Sequence, residues 1–202
     1  MTSFPHLEQY LSRLPAGMAS YPDCKSRGTL VLSSLVGHDL SPVLEDLPAP
    51  LGNLVRHPPL PGAWVPAVHS DAIFFAVADT FHPTADAVLA WTRERTLHTA
   101  RSKMYRALTR MTGPRVALRM TATVHGMFQR GTNMSAESID GGMMLRLEHP
   151  PYLHGGLNHV ANVAMIEVLL EIAGGVTTSV EMLESGPRGA VYRARWNLQE
   201  RT

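Results

Sequence analysis

The sequence predicts an α+β protein: an N-terminal, mostly helical region over residues 1–112, packed as one compact unit on a C-terminal helix-hairpin-helix-hairpin region over 113–202 with a four-stranded antiparallel sheet. Three observations predict it. Apolar residues recur at helical spacing through the first half; the period changes to alternation around turn-forming residues within 131–148 and again after 176; and the segment 155–173 is apolar around nearly its whole circumference. A chain of 202 residues removes roughly 70% of its unfolded surface from water, so neither a disulfide nor a metal is needed to stabilise it.

Residues 4–14 read as a short amphipathic helix, with Phe4, Leu7, Leu11 and Leu14 on one side and Pro15 ending it. The stretch 28–37 is apolar without a clear period and leaves helix and strand open. Prolines and glycines divide 47–66 into a loop with at most one helical turn pair at 51–55. Val68, Ala72, Phe75 and Ala76 give 65–80 helical spacing, and Pro83 suits the first turn of a following helix. Helices are then expected over 84–93, 102–111 and 114–129, with Thr112-Gly113-Pro114 stopping one and starting the next. Met134, Ala136 and Ser138 alternate with polar neighbours before Asp140-Gly141-Gly142, and Met144 to Glu148 alternates again, which is hairpin patterning. After the apolar helix, 176–183 and 190–198 flank Ser185-Gly186-Pro187-Arg188-Gly189 as a second hairpin with a longer loop.

The helix over 155–173 belongs at the centre of such a fold, because only a helix surrounded by protein tolerates apolar residues on every side. Its exceptions are Asn158, His159 and Asn162 near the N-terminal half, and Glu167 with Glu171 on one edge. Buried amides and imidazoles need partners, so this polar seam contacts backbone or lines a cavity. Asn158, His159 and Asn162, together with Met127, Met165 and Trp196, form the candidate face for a small apolar ligand or a protein partner. Nine methionines fall between Met104 and Met182, and flexible thioethers suit both an irregular core and an apolar pocket.

The net charge of +1 conceals an uneven distribution, about −4 over 1–92, +8 over 93–130 and −3 over 131–202. Within the basic band Lys103, Arg106 and Arg110 fall at i, i+3 and i+7, and Arg115 with Arg119 at i, i+4. Such stripes hold polyanions, either an acidic protein surface or nucleic acid, or pair with acidic segments of the same chain or a second subunit. No nucleic-acid motif accompanies them, which makes nucleic acid the lesser candidate. Histidines at 149, 154 and 159 are spaced by five and His125 stands in a helix, but no metal-ligand spacing is present. No nucleophile elbow, phosphate loop or Cys-His pair is found, so a non-enzymatic regulatory module acting through association as a dimer or with a protein partner is expected, with catalytic residues unassigned. The longest apolar run, 72–78, ends at Asp79, far short of the ~20 residues that span a bilayer. The single Cys24, and an N-terminus interrupted by Glu8 and Arg13, point to the cytoplasm.

The segments Trp64-Val65-Pro66, 76–81, Met104-Tyr105-Arg106, Gly113-Pro114, Phe128-Gln129-Arg130-Gly131-Thr132 and Tyr192-Arg193-Ala194-Arg195-Trp196 resemble an uncharacterised myxobacterial protein family of similar length. The helix-hairpin-helix-hairpin half also resembles the fold shared by four-vinyl-reductase-like domains, heme nitric-oxide-binding domains and vesicle-tethering Bet3 subunits. That resemblance implies a module binding an apolar ligand, heme or another copy. The Tyr-x-Ser-x-Arg string that holds heme propionates in the heme-binding group does not occur here. The expectation is accordingly that no cofactor and no metal is bound.

Overall fold

The computed structural model describes residues 2–100 and 113–198. The expected helix over 102–111, and with it Lys103, Arg106 and Arg110, lies outside the described residues. The first half is helical: α1 (Pro5–Arg13), α2 (Gly28–Leu35), α3 (Ala49–Arg56), α4 (Ala67–Phe81) and α5 (Ala85–Ala100), with 3₁₀ turns at Gly17–Ala19 and Ser41–Asp46. The second half runs α6 (Gly113–Phe128), the hairpin β4 (Asn133–Ile139) and β5 (Gly142–Glu148), α7 (Gly156–Ile172), then the hairpin β6 (Gly175–Gly186) and β7 (Gly189–Leu198). Its four strands form one antiparallel sheet in the order β4-β5-β7-β6. The α+β architecture expected from the sequence is therefore present.

Three short strands were not legible: β1 (Lys25–Arg27), β2 (Trp64–Pro66) and β3 (Gln129–Arg130), which form a second antiparallel sheet in the order β2-β1-β3. Strands of two or three residues are too short to show a period of two. The β6–β7 turn is also tighter than expected, because β6 continues to Gly186 and leaves only Pro187 and Arg188 between the strands.

Two apolar cores result. One gathers the N-terminal helices around α4, whose residues from Ala67 to Ala78 are buried except His69, with Leu153 and Ala161 joining from the second half. The other lies between the four-stranded sheet and the helices α6 and α7, around Leu118, Met143, Leu145, Ile166, Leu170 and Tyr192. Helix α7 contributes to both cores and exposes only Gly156 and Glu171. Its position at the centre follows from the apolar circumference. Burying Ile166 and Leu170, each fully inaccessible, contributes roughly 1.5–3 kcal/mol per side chain.

Polar contacts tie the helices of the first half to one another and to the second half. The buried Asp79 carboxylate on α4 accepts the backbone N–H groups of His6 and Leu7 at 3.2 and 3.0 Å and pairs with the His6 ring, so it caps α1 from outside. Tyr10 donates its hydroxyl to the Leu153 carbonyl at 2.8 Å. Burial, and then the Asp71 carboxylate, raise that phenol well above its ordinary range. Gly155, just ahead of α7, lies against the Phe75 ring so closely that a Cβ there would stand 2.7 Å from it.

Candidate functional site

A cavity of about 560 Å³ opens where the N-terminal helices meet α6, α7 and the sheet. Its size is that of a small-molecule site. Leu30 on α2, Phe74 on α4, Val124 and Phe128 on α6, and Leu169 on α7 supply apolar walls, with Met134 and Leu147 from the sheet. Polar side chains line it as well, among them Asp71 from α4, Arg95 from α5, His125 from α6, His154 from the loop before α7, and Asn158 and Asn162 from α7.

Three of these groups, Asp71, His154 and His125, are joined in a chain through Gln129 and Thr132. The Asp71 carboxylate lies 2.6 Å from His154 Nδ1, both side chains being buried. His154 Nε2 is 3.1 Å from Gln129 Oε1; Thr132 Oγ1 is 3.2 Å from the same oxygen and 2.8 Å from His125 Nε2. Burial, followed by the coulombic influence of His154, lowers His125 to about 4, so at neutral pH the ring is uncharged and keeps one bare nitrogen. Arg95 donates from Nη1 to Ser34 Oγ at 2.9 Å and lies over the Trp91 and Phe74 rings. Part of this side chain reaches solvent, yet desolvation still pulls its guanidinium down to about 10. Beside the cavity, Asn158 Oδ1 is buried and has no hydrogen-bond partner among the described residues.

A second histidine chain backs onto the first. His149 packs edge-on against His154, ring centroids 4.9 Å apart. A carbonyl can only accept, so His149 Nδ1, 2.8 Å from the Pro150 oxygen, carries the proton. Burial first, then the charge of His154, lowers His149 to about 3, and the neutral ring offers Nε2 as an acceptor. His159 Nε2 therefore donates to His149 Nε2 across 3.0 Å, and His159 Nδ1 accepts the Ser185 hydroxyl at 2.9 Å. His159 is itself lowered to about 4 by burial and by the charge of His154. The series from Ser185 to Pro150 has a single proton arrangement.

The six residues expected to form one face are divided. Asn158, Asn162 and Met165 line the cavity. His159 is fully buried behind it, on the Ser185 side. Trp196 packs on the core of the sheet, and Met127, 63% exposed, points to solvent. The basic band divides likewise: Arg95 enters the cavity, Arg93 pairs with Glu171, and Arg115 and Arg119 are exposed on α6, with Arg119 donating to Ser138 Oγ at 2.9 Å. Asp71, Phe74, Arg95, His125 and His154 were not chosen as a site from sequence. The available signal is Asp71, a carboxylate at the head of the apolar run 72–78 of α4, which demands a buried partner.

No family model and no curated protein matches the sequence. Solved structures do match by fold. A Cs H-NOX mutant carrying an unnatural 4-cyano-L-phenylalanine has a TM-score of 0.61 at 13% identity, covering 85% of this chain and 96% of its own. An oxygen-binding H-NOX domain related to soluble guanylate cyclases, in its oxygen complex, has a TM-score of 0.60 at 14% identity over 84% of this chain and 92% of its own. An H-NOX protein from S. oneidensis in the Fe(II)NO ligation state has a TM-score of 0.53 at 11% identity over 85% and 99%. Another H-NOX structure of similar likeness is described through its heme distortion. These neighbours overturn the expectation of no cofactor, since the group with which this architecture is associated is heme. At such identities the likeness establishes architecture, and the architecture is that of the H-NOX domains.

Proposed function

We propose that this chain is a sensor module whose central cavity holds heme and reports a small ligand through association with a partner protein or a second copy. The observation that carries the reading is the cavity between the helical half and the α6–α7–sheet half, with apolar walls, a neutral imidazole and a guanidinium. The lining fits the group in kind. Of the cavity-lining histidines His98, His125 and His154, His125 is the one that would ligate iron, as burial keeps it uncharged and an imidazole binds metal only when neutral. Arg95 would take a propionate, a role that suits a guanidinium. Asn158 offers its Oδ1 as an acceptor, and Phe74, Val124 and Leu169 exclude water from an apolar ring system. When bound, heme would supply an iron site for a diatomic gas. The Tyr-x-Ser-x-Arg string is absent, so Arg95, reaching in from α5, takes over the anionic end.

Titration of purified protein with hemin, followed by absorbance, tests the reading. A saturable Soret band is expected, with loss or displacement of the band in His125→Gly and its recovery on adding imidazole. Arg95→Leu is expected to weaken heme retention by about tenfold, the cost of losing one charge-assisted pair. A wild-type spectrum identical to that of free hemin, or a His125→Gly spectrum identical to wild type, overturns it.

A further inference from the structure

The small sheet presents a surface that the cavity does not use. Ser26 and Val65 are buried, so the opposite face of β1, β2 and β3 carries Lys25, Arg27, Trp64 and Arg130 outward. Two guanidiniums lie on the one indole, Arg27 at 4.0 Å and Arg130 at 4.1 Å from the Trp64 ring. Arg27 is also held by the backbone carbonyls of Met127, at 3.0 Å, and Gly62. Met127, whose carbonyl holds Arg27, and Leu60, two residues before Gly62, are 63% and 77% exposed. Among the described residues none of these three cations pairs with a carboxylate.

We propose that this face docks an acidic segment of a partner protein, carboxylates on Lys25 and Arg130 and an apolar side chain between Met127 and Leu60. Three like charges gathered without counter-charges cost free energy that an acidic partner recovers, and guanidiniums held by an indole and carbonyls lose little conformational freedom on binding. The geometry disfavours two other polyanions. A nucleic acid would use the indole as a stacking platform, and here guanidiniums already cover it. A lipid surface favours long cations free to reach headgroups, whereas Arg27 is tied down by two carbonyls.

The test is fluorescence anisotropy of a labelled peptide, in which Asp-Glu pairs flank a single leucine, added to the full chain at low salt. Duplex DNA and phosphatidylserine vesicles serve as alternative ligands. Saturable peptide binding is expected, weakened at least about tenfold by Lys25→Glu with Arg130→Glu. Met127→Asp is expected to weaken it as well. Arg146→Glu, on the four-stranded sheet, is expected to leave it near the wild-type value. Lys25→Gln with Arg130→Gln repeats the loss with less change of charge and keeps the comparison usable if the double Glu variant folds poorly. Failure of the wild-type chain to bind the peptide, equal damage from Arg146→Glu, or tighter binding of DNA or vesicles overturns the proposal.

Discussion

An imidazole kept neutral by burial ties folding to pH. His125 and His159 are lowered to about 4 and His149 to about 3, so between pH 6.5 and 4 the unfolded chain binds protons that the folded chain refuses. Stability therefore falls as pH drops through that window, by several kcal/mol in sum. Urea unfolding midpoints measured from pH 7 to pH 4 should decline steeply, and His159→Gln should flatten the slope. At Gly155 the constraint is steric, because a Cβ would meet the Phe75 ring at 2.7 Å. Gly155→Ala should cost roughly 1–3 kcal/mol in denaturant unfolding, as overpacking does. Neither effect was legible in the sequence: His149, His154 and His159 showed a spacing of five but no partners, and those partners, Asp71 and Ser185, lie 83 and 26 residues from His154 and His159.

Elements were read best where they are long. Helices α4, α6 and α7 and both hairpins followed from period and turn chemistry, and α7 showed its central position through its apolar circumference. The same circumference sets the cost of damaging it. Ile166→Ala or Leu170→Ala, each at a fully buried position facing the sheet, should lower stability by roughly 2–5 kcal/mol. Calorimetry or urea titration checks this. Helix α1 depends on a remote group, since the capping carboxylate belongs to Asp79 on α4. Asp79→Ala should cost roughly 1.5–3 kcal/mol, the range for bonds to a charged acceptor, and the loss should appear first as weakened amide-exchange protection in α1. Helix α3 and strand β2 lie in 47–66, where Pro and Gly mask short elements and only a helical turn pair at 51–55 is legible; β1 and β3 lie outside that stretch.

On the scale of the whole molecule, the cavity exists because two separately cored halves meet on one helix. Asn158, Asn162 and Met165 are legible as part of it because they interrupt or edge an apolar helix; Arg95 is not, since in sequence it is one cation among the nine of the basic band over 93–130. Filling the space should separate binding from folding. Ala161, 5% exposed on the cavity wall, is the place to do so: Ala161→Phe should abolish hemin uptake while moving the thermal midpoint by only a few degrees, because the added ring occupies existing volume. Paired hemin titration and calorimetry on this variant check it.

The three-stranded sheet joins residues 25–27 and 64–66 to 129–130, so its closure spans over a hundred positions of chain. Non-local pairings of this kind are slow to form and are completed late. During synthesis the helical half therefore waits, its β1–β2 pair lacking a flank, until the polypeptide beyond Arg130 has left the ribosome. A fragment cut before α6 would keep the first core short of Leu153 and Ala161, and carry an open ribbon edge and only part of the cavity wall.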